Sequence, residues 1–259
     1  MSEARPLEGV CVLVTRPAAQ AGNLCRMIES LGGTALKFPV LEIRTTSDPE
    51  ALHRVLTELD RFDWAVFVSA NAVEKALDAL PGDARLPEGL RLAAVGRRTA
   101  QALEQRGYRV DACPREKFSS EGLLALPAMQ AVAGQRFAIF RGDGGRSELA
   151  HVLTERGAVY EYVEAYRRVK PEIDAGPINA LGARGGIQCI LANSAESLEN
   201  LWGMLDGGGN AWLAGAQLVV VSQRLLPVAA GLGFVKPPLV AENATDQAVV
   251  DTLVKACAE

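Results

Sequence analysis

Small hydroxyls, glycines and arginines stand where one apolar run after another gives way to a helix-like stretch. Thr15-Arg16-Pro17 follows residues 10–14, Ser69-Ala70-Asn71 follows 65–68, and Gly96-Arg97-Arg98-Thr99 follows 92–95. The series continues with Ser119-Ser120, Arg141-Gly142-Asp143-Gly144-Gly145-Arg146, Asn193-Ser194, Ser222-Gln223-Arg224 and Thr245-Asp246. Singly, each group reads as a helix N-cap worth about 1 kcal/mol. Collectively they predict helix N-termini gathered at the carboxyl edges of parallel sheets, where unpaired main-chain N–H groups bind anions. Two such edges facing one ligand would surround a large polyanion, each donor contributing roughly 0.3 to 1 kcal/mol.

Other chemistries find little material. Arg141–Ser147 lacks the Gly-Lys-Ser/Thr ending of a triphosphate loop, and its glycines do not form Gly-x-Gly-x-x-Gly. No paired carboxylates, Ser-His-Asp set or metal-ligand cluster stands out, so no metal is expected. His53 and His151 lie in polar helical surroundings and read as structural. Cys11, Cys25, Cys113, Cys189 and Cys257 are an odd set without a short-spaced pair, which disfavours a disulfide framework or a zinc site. They read as buried, reduced thiols. An enzyme built this way would hold and orient a substrate that is already reactive.

Composition narrows the class further. The 259 residues are 49% hydrophobic and 22% charged, with a formal net charge of -4 and no Lys/Arg block, which argues against a nucleic-acid partner. The apolar runs fall far short of the roughly 20 residues of a membrane helix. Residues 1–9 show no signal peptide, so a cytoplasmic location is expected.

An offset of 125 residues organises the chain. It carries Arg16 to Arg141, Gly32 to Gly157, Ser69 to Ser194 and Ser120 to Thr245. That period is the size of a domain, not of a solenoid repeat. Apolar runs at 10–14, 65–68, 92–95, 137–140, 189–192 and 218–221 lack alternation, as strands covered on both faces do. Helical stripes such as Leu24-Met27-Ile28-Leu31 and Val250-Leu253-Val254-Cys257 lie between them. The fold class is therefore α/β, with two similar units of parallel sheet flanked by helices. Residues 38–45 and 159–169 are more polar and alternate, and read as extended connectors. Two wirings remain open: contiguous halves, or residues 1–38 packed with the C-terminal third, the connectors then pairing antiparallel.

At these strand ends the chain resembles the uroporphyrinogen-III synthase family. The resemblance rests on Val14-Thr15-Arg16-Pro17, residues 66–73 (Val-Phe-Val-Ser-Ala-Asn-Ala-Val), residues 94–100 and Ser120-Glu121-Gly122-Leu123-Leu124. It extends through Arg141–Arg146, Tyr166-Arg167-Arg168, Asn193–Leu198, Val220-Val221-Ser222 and Ala244-Thr245-Asp246. Each segment is weak alone; the ordered set is specific.

The resemblance implies an enzyme that cyclises hydroxymethylbilane, a linear tetrapyrrole polycarboxylate, to uroporphyrinogen III with loss of water and inversion of the last ring. It implies no cofactor, a monomer, and two α/β domains joined by a two-stranded antiparallel connector around a ligand cleft. The wiring would put 1–38 with 170–259 in one domain and 46–158 in the other, 39–45 and 159–169 connecting them. Tyr166 corresponds to the family's tyrosine beside the cleft and is the candidate acid for hydroxyl departure, since a phenol keeps its proton at neutral pH. Ser69, Thr99, Ser194 and Ser222 correspond to positions lining the cleft, and Arg16, Ala70, Gly96, Ser120, Arg141, Gly142 and Ser197 complete the expected substrate-binding set. Residues 223–226 depart from Gly96-x-x-Thr99, which leaves Thr99 without a clear hydroxyl counterpart. Leu41 stands 125 residues before Tyr166, so the repeat breaks at the residue assigned to catalysis. Two rival readings are a tetrapyrrole-sensing module without turnover and a two-domain nucleotide-sugar glycosyltransferase.

Overall fold

The computed structural model describes residues 5–144, 147–205 and 210–258. The chain forms β1 (Cys11–Val14), α1 (Ala18–Ser30), β2 (Thr34–Lys37), β3 (Glu42–Thr45), α2 (Pro49–Thr57), β4 (Trp64–Phe67), α3 (Ala70–Asp78), β5 (Arg91–Ala94) and α4 (Arg97–Gln105). It continues through α5 (Ser120–Leu124), β6 (Arg136–Gly142), α6 (Glu148–Glu155), β7 (Val159–Val169), α7 (Gly176–Ala183), β8 (Cys189–Ala192) and α8 (Ala195–Met204). Then come α9 (Asn210–Gly215), β9 (Gln217–Val220), α10 (Leu226–Leu232), β10 (Leu239–Val240) and α11 (Asp246–Ala258). The chain divides into two compact units, residues 1–42 with 169–259 and residues 43–168.

The first unit holds a sheet of order β10-β9-β8-β1-β2, paired parallel throughout. Successive side chains of a strand point to opposite faces, and both faces are covered. Leu13, Ile190 and Ala192 pack with Leu198, Leu201 and Ala229 of α8 and α10. Val12, Val14 and Leu191 pack with Leu24 and Ile28 of α1 and Val249 and Leu253 of α11. In the second unit, of order β3-β7-β6-β4-β5, Ala65, Phe67, Ala138 and Phe140 face Val55, Val73, Leu77 and Leu103 of α2 to α4. Val66, Phe137 and Ile139 face Leu123, Leu149 and Leu153 of α5 and α6. Continuous apolar runs form these central strands because no face is left to water. The edge strands β2 and β3 are partly exposed and carry no apolar run, whereas β10 is only the partly buried pair Leu239–Val240.

The 125-residue offset is a statement about register. Cys11 pairs with Thr34 and Val12 with Cys189 in the first sheet. In the second, Arg136 pairs with Val159 and Phe137 with Trp64, the same pairs displaced by 125. Gly32 and Gly157 follow α1 and α6 with φ of 88° and 79°, a left-handed position that favours glycine. The match slips by one residue at the next strand, where Trp64 lies opposite Arg91 but Cys189 lies opposite Gln217. With that slip Ser222 takes the place of Gly96, and the buried Leu225 the place of Thr99.

The segment 159–169 does more than connect. It is β7, paired parallel with β6, while β3 lies at its outer side. Its counterpart β2 ends at Lys37, although Phe38 and Val40 still donate to the Val14 and Thr15 carbonyls at 3.0 and 3.2 Å; the nitrogen of Pro39 between them faces away from β1, toward the sheet edge. The residue at the Pro39 position in the second unit is Glu164, which pairs with Arg141 in the ladder.

All five cysteines are free; Cys11, Cys25 and Cys189 are buried as expected, whereas Cys113 is only partly buried and Cys257, in the last turn of α11, is exposed. Burial pushes the Cys189 thiol up from 9.0 to about 11. A raised folded-state value favours the protonated, folded form below pH 9 and loses that advantage as pH climbs through 11. Cys189→Ala is expected to flatten the fall in stability between these pH values by roughly 3 kcal/mol, read by urea unfolding across the window.

Candidate active site

In each sheet the direction of strand addition reverses once, between β1 and β8 and between β4 and β6. A crevice opens outside the carboxyl ends of strands at such a reversal. The residues following these four strands are Thr15-Arg16, Asn193-Ser194, Val68-Ser69 and, at the end of β6, Arg141-Gly142. The offset-related pairs Arg16/Arg141 and Ser69/Ser194 therefore mark the same point in both units.

In the second unit Ser69 caps α3, its Oγ accepting the Ala72 N–H at 3.2 Å. The same oxygen lies 3.1 Å from the Tyr166 hydroxyl. With one lone pair occupied by Ala72, Ser69 has its own proton to give, and donating it to Tyr166 leaves the phenol proton for another acceptor. Tyr166 is only 5% exposed and packs among the core side chains of α3 and α4.

A change in register aims this ring. Arg141 pairs with Glu164, but Gly142 pairs with Tyr166, so Ala165 is the extra residue on β7. Such a bulge turns the side chains beyond it to the other face. Tyr166 thereby joins Val163 and Ala165 on one core face, whereas Tyr162 packs against the opposite core. Gly142 makes the approach possible: a Cβ there would lie 2.7 Å from two atoms of the Tyr166 ring. The Asp143 N–H donates to the Tyr166 carbonyl at 2.9 Å, and the Arg168 N–H to Asp143 Oδ1 at 3.0 Å, which ties the strand end down.

A cavity of about 290 Å³ lies at this edge, within the second unit. Ser69, Ser120, Arg141, Gly142 and Tyr166 line it, and so do Tyr162 and Arg168. Arg141 donates to the carbonyls of Gly142 and Gly144, and its guanidinium lies 4.5 Å from the Tyr162 ring centroid. Ala70 opens α3, Gly96 caps α4, and Thr99 is buried in the first turn of α4. Gly145 and Arg146 lie outside the described residues. Sequence reasoning passed over Tyr162 and Arg168; the run of Tyr160, Tyr162 and Tyr166 in one polar stretch was the available signal.

In the first unit Ser194 caps α8 through the Ser197 N–H at 3.1 Å and shares a 2.8 Å hydroxyl contact with Ser197. Ser222 caps the turn at Gln223–Leu225. Arg16 is only 8% exposed and forms an ion pair with Asp246, whose other oxygen accepts from Asn23 Nδ2 at 2.7 Å. That pair ties β1 to α11 through Nη1, and the Nε and Nη2 of the same guanidinium are buried without a hydrogen-bond partner. Arg16→Met is expected to cost roughly 3 kcal/mol, because it strips the cation from a mostly buried carboxylate. Arg16→Met with Asp246→Leu should recover most of that loss, read as midpoints of chemical unfolding.

Fold and site define a class: a two-unit, doubly wound α/β protein with a phenol and hydroxyl set at a polar sheet edge. Residues 23–251 match the family described as uroporphyrinogen-III synthase HemD, and the chain belongs to that family. It is 34% identical to uroporphyrinogen-III synthase of Salmonella typhimurium over 245 residues, 93% of this chain and 99% of the relative. Identity to the Escherichia coli uroporphyrinogen-III synthase is 32% over 244 residues, 93% and 99% of the two chains. A solved mutant uroporphyrinogen III synthase of Thermus thermophilus superposes with a TM-score of 0.63 at 21% identity, over 95% of this chain and 98% of that one, which concerns the fold. Among the described residues no helix is long and apolar enough to cross a membrane, and no group of three or more His, Cys, Asp or Glu suits a metal.

Proposed function

We propose that the chain is a cyclising hydro-lyase that converts hydroxymethylbilane to uroporphyrinogen III in tetrapyrrole (haem and sirohaem) biosynthesis. It acts as a cytoplasmic monomer without a cofactor. Membership of the family supports the reaction, and the observation that carries the mechanism is the Tyr166 hydroxyl held 3.1 Å from Ser69 Oγ against the cavity.

The substrate supplies most of its own reactivity. A pyrrole nitrogen pushes electrons toward the hydroxymethyl carbon, so the hydroxyl leaves as water once it receives a proton. Tyr166 gives that proton, and Ser69 orients the phenol. The remaining task is to hold the chain so that closure with inversion outruns simple closure, a matter of orientation. Ser69, Ala70, Gly96, Thr99, Ser120, Arg141 and Gly142 serve it in the second unit, Arg16, Ser194, Ser197 and Ser222 in the first. Main-chain N–H groups at the starts of α3, α4 and α8 take carboxylates.

The test is to supply freshly made hydroxymethylbilane and separate type I from type III product after oxidation. Type III product is expected. Type I product alone would reject the reading, and binding without turnover would restore the sensing module.

A further inference from the structure

Two pairs of loops hold equivalent places in the two units and differ in charge. One pair follows β5 and β9. The other leads into α5 and α11, after Ala112 bridges Ala93 of β5 in parallel as β10 pairs with β9. In the second unit these loops carry Arg97, Arg98, Arg115 and Lys117 against Glu116, whereas in the first they carry Arg224 against Glu242. Arg97, Arg98, Arg115 and Lys117 are all exposed. The two loops of the second unit meet: Phe118, 49% exposed, lies beside Gly96, where an added Cβ would come within 3.8 Å of the Phe118 Cβ. Val95 and Ser120, at the inner ends of the loops, line the cavity of this edge, and none of the four cations does. They stand at its rim, outside it.

A chain of net charge -4 repels a polyanion at long range, so approach has to be won by local charge. We propose that the rim made by Arg97, Arg98, Arg115 and Lys117 steers the polycarboxylate substrate to the sheet edge of the second unit, and that the first unit has no such rim. This assignment rests on the functional reading above and adds how the substrate arrives. Steering of this kind raises association rates by roughly 10- to 10³-fold and is screened by salt. It acts on the encounter and not on the bound complex, so it shows in kcat/KM and not in kcat.

The experiment follows steady-state rates of the full chain on hydroxymethylbilane from about 0.01 M to about 1 M ionic strength, where the screening length falls from about 30 to about 3 Å. Arg97→Gln with Lys117→Gln is expected to lower kcat/KM about 10-fold at the low end and to match the wild type at the high end. Its kcat should stay within about 2-fold throughout, since only capture is slowed. Arg97→Lys with Lys117→Arg keeps the charge and should keep the wild-type salt profile, as should Arg224→Gln in the first unit. A salt profile in the glutamine variant parallel to that of the wild type, a loss in kcat as large as that in kcat/KM, or an equal loss in Arg224→Gln overturns the steering rim. Product analysis runs in parallel. Type III product together with any of those results overturns the rim alone, whereas absence of type III product from the wild type overturns the functional reading.

Discussion

Tyr166→Phe is expected to lower kcat on hydroxymethylbilane by about 10²- to 10⁴-fold, the range of a general acid removed from its site. Phenylalanine keeps the ring that packs among the α3 and α4 side chains, and Ser69 keeps its bond from Ala72. Stability should therefore change by only about 1 kcal/mol, the value of one net hydrogen bond. KM should stay within a few-fold, because the phenol acts on a departing hydroxyl and binding is spread over many donors. Ser69→Ala should cost less than 10-fold, since it loosens the phenol without removing its proton. As the enzymic route slows, unassisted closure gains and the type I fraction rises. Steady-state rates with product analysis check all three points, and wild-type turnover in Tyr166→Phe would remove the assignment.

Gly142→Ala is the second large effect, and it comes from geometry. The new methyl would meet the Tyr166 ring at 2.7 Å, well inside contact distance. The ring has to move, and a phenol displaced by about 1 Å can lose roughly 10²-fold in rate. The crowding itself should destabilise the fold by about 1 to 3 kcal/mol. In Gly142→Ala with Tyr166→Phe the rate losses should not add, since the glycine acts through the tyrosine. Single-turnover rates of both single variants and the double variant decide this. Full additivity would mean that Gly142 matters for some other reason.

Much of this was legible from residue order. Strands covered on both faces must be apolar on both, which is why the runs at 10–14 and 189–192 stand out while the partly exposed β2 does not. Ser69 and Ser194 were readable as helix caps because capping is local, bridging three residues in each case. The repeat was readable because both sheets keep nearly the same register, and the family resemblance sits on the strand ends that this register aligns.

The sequence by itself determined the α/β class, the repeat, the helix starts and the family. Tertiary structure alone decided what those groups do to one another, because pairing in a parallel sheet joins residues far apart in the chain. Arg16 meets Asp246 across 230 positions, and Ser69 meets Tyr166 across 97. Neither separation leaves a periodic trace. The aim of Tyr166 is less local still: an extra residue at Ala165 turns it, and a missing side chain at Gly142 makes room for it. The difference between Arg16 and Arg141 has the same origin. The fold brings a carboxylate to one of these equivalent strand ends, and main-chain carbonyls with the Tyr162 face to the other.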